Sequence, residues 1–336
     1  MNAAANTAQQ LGQMITGYWV SQALYVAAKL ELADKLAAGP KLSSELARAT
    51  GMHADSLFRL LRALASVGVF RQNAAGAFEL TPLAEQLRRE LPGSQWAMAM
   101  MMGEEHYRAY GELLYSMRTG KSAFEHVLGL PVFEYLATKP QQAALFDAAM
   151  TSIHGQETGL MLAAYDFAGI GKLADVGGGN GSTLIGVLQA NPQMQGVLYD
   201  LPHVVERARE AVEKAGLASR CELVGGSFFE NVPQGQDAYL LRHIIHDWDD
   251  QRSVTILSNC RKRLQPNGRV LIVESVVPAG NEPAFSKWLD LTMLTIPEGR
   301  ERTEAEYREL LGQAGLRLAR IMPTAGEIAI IEACQI

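Results

Sequence analysis

The stretch Leu173 to Leu184, LADVGGGNGSTL, constrains the fold of this chain more than any other. A short apolar run ends on Asp175, three consecutive glycines follow, and Gly181-Ser182-Thr183 lead into an apolar segment with helical spacing. This pattern predicts a strand, a tight turn and a helix. Glycine is required where φ is positive or where a ligand must approach the backbone closely. Gly177, Gly179 and Gly181 form G-x-G-x-G, which sets a ligand at the carboxyl end of a strand. The dinucleotide fingerprint needs a third glycine or alanine where this chain has Ser182, so NAD is disfavoured. No lysine of the Walker kind follows, so a triphosphate has nothing to neutralise it. Asp175 closes the first strand, and Asp200 closes the next apolar run, GVLYD, where a carboxylate can accept two hydrogen bonds from a ribose diol. A cationic nucleoside such as S-adenosylmethionine fits these residues better than either nucleotide.

Downstream the same alternation repeats. GVLYDLP, a helix over 204–215, CELVGGSFF, DAYLLRHII, a helix over 250–264 and RVLIVESVVP predict an α/β fold of the Rossmann-like kind, a mostly parallel sheet with helices on both faces. Thr303 caps a last helix with Glu306 at the capping-box position, and EIAIIEACQI supplies a final strand. Upstream the chain reads as helices. Residues 9–38 form a long helical stretch so poor in charge that part of its surface suits a subunit interface, which points to a homodimer. Ser43 or Ser44 caps a short helix that Gly51 breaks, a second helix runs from Asp55 to about Ser66, and a hairpin turning at Asn73 to Gly76 completes a winged helix. The expected division is a helical and winged-helix dimerisation domain over 1–100, a helical connector over 101–160 and a cofactor-binding domain over 161–336.

Charge and composition narrow the partners. Residues 1–100 hold nine Lys/Arg against seven Asp/Glu, and the second wing helix offers only Asp55, Ser56, Arg59, Arg62 and Ser66 to a groove, so nucleic acid is not expected. No run approaches the ~18 apolar residues of a membrane span and the amino end has no basic region ahead of an apolar core, so a cytoplasmic protein without membrane contact is expected. Cys221, Cys260 and Cys334 form no C-x-x-C pair and read as small core residues, and no His/Asp/Glu cluster has metal-ligand spacing, so no metal is expected. The methionines at 98 and 100–102 read as core filling that can also line an adaptable aromatic pocket.

The chemistry falls on LRHIIHDWDD, Leu241 to Asp250, which follows a strand carboxyl end at the same sheet edge as the glycines. His246, Asp247 and Trp248 therefore border the ligand crevice. An unperturbed imidazole, with a pKa of ~6.5, is neutral at working pH and suits a general base. It needs an orienting carboxylate. Glu274, at the end of the next strand, and Glu301, in GRERT, are the candidates.

The stretches DVGGGNGS, YDLPHVV, GGSFFENVP, LLRHIIHDWDD, LIVE and GRERTEAEY, with RTGKSAFEHVLGLPVFEYLATKP and FDAAM upstream, resemble the plant-type O-methyltransferases and their bacterial relatives that modify polyketides and phenazines. The likeness covers nearly the whole chain. It implies S-adenosylmethionine as cofactor and S-adenosylhomocysteine as product, with Gly177 and Gly179 around the methionine end, Asp200 on the ribose, Phe228 and Trp248 flanking adenine, and Arg242 reaching the cofactor where plant enzymes usually have lysine. It further implies His246 as base, Glu274 and Glu301 bracketing its imidazole, and an acceptor pocket lined by Phe146, Met150, Asp247 and Met293. Many relatives carry an adenine-contacting aspartate before Phe228; here it is Ser227. The implied reaction is methylation of a phenolic hydroxyl on a small aromatic molecule, a planar polycyclic phenol or hydroxyphenazine being the best fit. Relatives that methylate nitrogen, hydroxylate or decarboxylate supply one alternative, and a winged-helix regulator sensing a metabolite supplies another.

Overall fold

A computed structural model of the chain describes residues 3–155 and 157–336. It divides into two compact units: one runs to Arg108 and takes in Leu136–Ile153, and the other comprises Ala109–Tyr135 and His154–Ile336. The stretch 101–160, expected as a separate connector, is shared between the two.

In the first unit the helical start is three helices, Ala3–Ile15, Gly17–Lys29 and Leu32–Leu36, instead of one. The first break falls at Thr16, whose hydroxyl donates to the Gly12 carbonyl and so competes with helix continuation. The second falls at Glu31, which adopts the left-handed conformation with φ 52°. Helix Ser43–Thr50 is fixed not by a serine cap but by Glu45, whose carboxylate accepts the Leu42 N–H at 2.7 Å, and Gly51 ends it with φ 71°. Helix Ala54–Ser66 follows, and β1 (Phe70–Gln72) pairs antiparallel with β2 (Phe78–Leu80) across a turn in which Asn73 Oδ1 accepts the Ala75 and Ala77 N–H groups. Leu46, Leu57, Leu61, Leu64, Phe70 and Phe78 form the core of this winged helix. Leu11, Met14, Ile15 and Trp19 stay exposed. Phe146 and Met150 also belong to this unit, where they pack with Met98 and Met102 around Ala97, Met101 and Ala149.

The second unit is built on a seven-stranded sheet: β3 (Lys172–Val176), β4 (Gln195–Asp200), β5 (Cys221–Gly225), β6 (Gln236–Arg242), β7 (Leu264–Glu274), β8 (Leu316–Pro323) and β9 (Ala329–Gln335). Their spatial order is β5-β4-β3-β6-β7-β9-β8; β3 to β7 are mutually parallel, and β9 runs antiparallel to both its neighbours. Because side chains alternate across a strand, each central strand feeds two cores. Ala174, Val197, Tyr239, Val270 and Ile272 meet Ile256, Leu257, Cys260, Tyr307 and Leu311 on one face. Leu173, Leu198, Leu240, Leu271 and Val273 meet Met161, Leu184, Val187, Leu188 and Val212 on the other. This is the expected Rossmann-like sheet with helices on both faces. Cys221 and Cys260 are buried in it, and all three cysteines are free. Among the described residues no helix is long and apolar enough to cross a membrane.

Leu271 is fully buried on β7, between β6 and β9. Leu271→Ala leaves a cavity that close-packed neighbours can only partly fill, and should lower unfolding free energy by about 2–5 kcal/mol. Urea denaturation checks this: the midpoint should fall with an unchanged slope.

Candidate active site

Polar residues gather at one edge of the sheet: Asp200, Arg242 and Glu274 end β4, β6 and β7, and Asp175 stands one residue before the end of β3. Parallel sheets place ligands there, beyond the carboxyl ends. The glycine turn lies at the same edge, with φ 73° at Gly177, 58° at Gly179 and 78° at Gly181. The glycines serve different ends. A Cβ on Gly177 would stand 2.3 Å from Ile244 Cδ1, and one on Gly178 2.3 Å from Leu198 Cδ1 and 2.8 Å from the Asp175 carboxyl carbon, so these two allow close packing. A Cβ on Gly179 would meet nothing within 4 Å, so there the backbone borders open space.

The carboxylates beside this turn are incompletely used. Asp200 accepts the Gly179 N–H at 2.9 Å on one oxygen and the Leu201 N–H at 2.6 Å on the other, which leaves lone pairs for a further donor. Asp175 is buried, and its Oδ2 has no hydrogen-bond partner among the described residues. Burial raises its carboxyl to about 7, against the lowering influence of the Arg242 charge. Buried polar atoms are normally satisfied, so this oxygen retains capacity to accept a further hydrogen bond. Arg242 sits between the Thr158 hydroxyl at 3.4 Å and the Glu157 carboxylate at 3.8 Å. Ser227 is partly engaged in its own turn, its hydroxyl accepting the Phe229 N–H at 3.3 Å. Trp248 packs edge-on against Phe228 and Phe229, with ring centroids 6.1 and 4.8 Å away, and carries Phe133 and the Arg252 guanidinium nearby.

His246 lies on a single 3₁₀ turn, Ile245–Asp247, that follows β6. Its Nδ1 meets Glu301 Oε1 at 2.6 Å, its Nε2 is 3.7 Å from Asp247 Oδ1, and the His243 ring packs against it at 5.1 Å. Glu301 is held in turn by its own N–H, which donates to Asp290. Glu274 does not bracket the imidazole. Its Oε1 accepts the backbone N–H groups of Ile244, Ile245 and His246, at 3.1, 2.7 and 3.1 Å, and its Oε2 accepts the Tyr307 hydroxyl. The β6–β7 register explains this: Arg242 stands opposite Val273, so Glu274 lies under the peptides that follow β6, not under the ring.

The imidazole is also not the ordinary one the sequence suggests. Burial alone would lower its pKa, but the charge and hydrogen bond of Glu301, with Asp247 and Glu274 nearby, raise it to about 10. Asp247 is itself raised to about 7, chiefly by burial. The buried carboxylates around the ring thus favour its protonated form.

Three residues that sequence reasoning did not single out complete the site. Gly299 lies so close to the turn that a Cβ there would stand 1.9 Å from the His246 carbonyl oxygen. Arg302 is fully buried and donates to carbonyls of the turn. Asp290 fixes Glu301. All act through backbone groups, which leave no periodic trace, although Gly299 and Arg302 belong to the GRERT stretch already noted. Met293 is tied to this loop through its carbonyl, which accepts the Gly299 N–H. Phe146 and Met150 lie in the first unit. Among the described residues no group of three or more His, Cys, Asp or Glu could hold a metal ion.

Residues 110–317 match the model of the O-methyltransferase domain, and residues 13–89 that of the O-methyltransferase dimerisation domain. The chain belongs to the O-methyltransferase family. It is 46% identical over 321 residues, 96% of this chain and 94% of the other, to a phenazine O-methyltransferase, PhzM, of Lysobacter antibioticus. The solved structure of LaPhzM superposes with a TM-score of 0.95 at 45% identity, covering 98% of this chain and 99% of that one. The O-methyltransferase NcsB1 of neocarzinostatin biosynthesis, solved with S-adenosylmethionine and 2-hydroxy-5-methyl naphthoic acid, superposes with a TM-score of 0.85 at 36% identity, covering 94% and 96%. This O-methyltransferase uses S-adenosylmethionine as its methyl donor.

The short contact to Glu301 sets the basicity of His246. In Glu301→Gln the charge is gone and burial dominates, so the imidazole pKa falls from about 10. The acidic limb of the pH–rate profile should move down by about one pH unit or more, as read from kcat/KM across the accessible pH range.

Proposed function

We propose that this O-methyltransferase methylates a phenolic hydroxyl of a planar polycyclic aromatic molecule, a hydroxyphenazine being the most specific form, with His246 as the base. The observation that carries the reading is the buried His246–Glu301 contact of 2.6 Å just beyond the carboxyl end of β6. The similarity to a phenazine O-methyltransferase and to an enzyme solved with a hydroxylated naphthoic acid supports the aromatic acceptor.

The donor's residues fit its chemistry. Gly177 and Gly179 would follow the amino-acid end, the unpartnered oxygen of Asp175 would receive a donor such as its ammonium, and Arg242 would balance charge at the same edge. The spare lone pairs of Asp200 would take the ribose hydroxyls, with Ser227, Phe228 and Trp248 on the adenine side. When bound, S-adenosylmethionine supplies an electrophilic methyl on a sulfonium and leaves as S-adenosylhomocysteine.

The chain's own work is to handle a proton and to orient the acceptor. A phenol has a pKa of ~10. Proton transfer to an ordinary imidazole would be uphill by about 5 kcal/mol. Glu301 raises the His246 ring toward the phenol's range, so transfer to the neutral ring is less uphill, and the ring must first release its resting proton before it acts as base. Glu301 positions the ring, and Asp247 and Met293 are the residues of the second unit that we assign to the acceptor pocket. Holding oxygen and methyl in line supplies the remainder of the rate enhancement. The exposed Leu11, Met14, Ile15 and Trp19, within and beside the matched dimerisation domain, support a homodimer formed through the amino-terminal helices.

His246→Gln should cut turnover at neutral pH by about a hundredfold or more while leaving S-adenosylmethionine affinity within a few-fold of wild type. A panel of phenolic acceptors that includes hydroxyphenazines, read by mass spectrometry for addition of one methyl group, tests the acceptor; wild-type turnover in the variant would remove the base.

A further inference from the structure

The 3₁₀ turn that carries His246 has three residues and little internal hydrogen bonding, so it cannot hold its own shape. Two fully buried charges meet its opposite ends. At one end the carboxylate of Glu274 takes three consecutive N–H groups on a single oxygen. At the other the guanidinium of Arg302 donates to the Ile245 carbonyl at 3.1 Å and the Trp248 carbonyl at 3.0 Å, with Asp250 Oδ1 at 2.8 Å and the Ser253 hydroxyl at 3.3 Å. We propose that Arg302 and Glu274 are paired positioning residues that grip the His246 turn by its two peptide ends and so set the imidazole onto Glu301.

Three features of the chain support this assignment, which rests on the reading of His246 as base. First, both charges are fully buried, yet neither is a direct partner of the other; the peptide dipoles of the turn lie between them, negative charge at the N–H end and positive charge at the carbonyl end, the favourable sense. Second, the ion pair of Arg302 with Asp250 is half open to solvent, the Asp250 side chain being 52% exposed, so salt-bridge energy alone does not account for burying a guanidinium. Third, Arg302 is the last of three consecutive residues on the turn: the Arg300 N–H donates to the His246 carbonyl at 2.8 Å, and the Glu301 side chain meets Nδ1. A planar fork is needed to reach two carbonyls and a carboxylate together, and lysine lacks it.

The test reads His246 directly and needs no acceptor. Full-length protein labelled with ¹⁵N-histidine is titrated by NMR, with His246→Gln assigning the signal, for wild type, Arg302→Lys and Glu274→Gln. The titratable groups that act on the ring, Glu301, Asp247 and His243 beside it and Glu274 beneath its peptide, are not substituted in Arg302→Lys. That variant should keep its fold, with Tm within about 5 °C of wild type. Its His246 pKa should fall by about one unit or more as the ring leaves Glu301. Its kcat should drop about tenfold or more, with KM for S-adenosylmethionine changed less than kcat. The loss in the Arg302→Lys/Glu274→Gln double variant should be smaller than the product of the single losses, because both release one turn. A wild-type titration of His246 in Arg302→Lys, or fully multiplicative losses, would overturn the proposal. If Arg302→Lys does not fold, Asp250→Asn takes its place, with a smaller pKa shift in the same direction expected and none overturning it. An active His246→Gln would instead overturn the base and leave the titration result standing.

Discussion

A three-residue peptide turn is too short to define its own geometry, and the chemistry of the second unit hangs on one being fixed from outside. The Ile245–Asp247 turn is held by a carboxylate under its N–H groups, a guanidinium over its carbonyls and the backbone of Arg300 at its centre. None of these contacts touches the imidazole. The single group that does so by a short hydrogen bond, Glu301, comes from the segment that also supplies the backbone clasp. Glu301 is the main group raising the basicity of the ring, while Glu274, Arg302 and the Arg300 backbone hold the turn that carries it.

The sheet makes this division possible. Parallel pairing of β6 with β7 brings Arg242 opposite Val273, which fixes Glu274 one residue beyond, beneath the chain leaving β6. On the other side β3 ends with Val176 opposite Tyr199 and β4 runs one residue further, so that Asp175 and Asp200 both stand beside the glycine turn. Two cores, one per face, lock these strand ends in depth. The loops that approach a ligand are therefore anchored on the least deformable part of the unit, which is what a reaction needing in-line geometry requires.

Much of this could be read from the residues, and what could not shares one physical cause. The glycine turn, the alternating strands and helices, the wing, and the Thr303–Glu306 capping box, where both reciprocal hydrogen bonds form, are local, and their patterns sit within a few residues of their effects. The edge strand β8 was not read, because its mix of Leu316 and Leu318 with Arg317 and Arg320 follows a helix without a strong turn signal. Which oxygen of Glu274 faces which group depends on register between two strands, and the burial of Arg302 depends on three segments meeting. The imidazole pKa fails the same way: an ordinary histidine value assumes water around the ring, and a carboxylate 55 residues away has replaced it.

The charge around His246 also bears on what the crevice accepts. Asp247, Glu274 and Glu301 stand against the imidazolium and Arg302, an excess of one negative charge when all are ionised. Burial lifts Asp247 to about 7, which opposes its ionised form and lessens that excess. Asp175, at the neighbouring strand end, is lifted to about 7 for the same reason. Burial raises both despite the Arg242 charge beside Asp175 and the His246 ring beside Asp247, and a further cation at these strand ends would favour their charged forms. A neutral or anionic nucleotide would meet these carboxyls without that benefit. Carboxyls of this sign suit the sulfonium of S-adenosylmethionine, the methyl donor of the family.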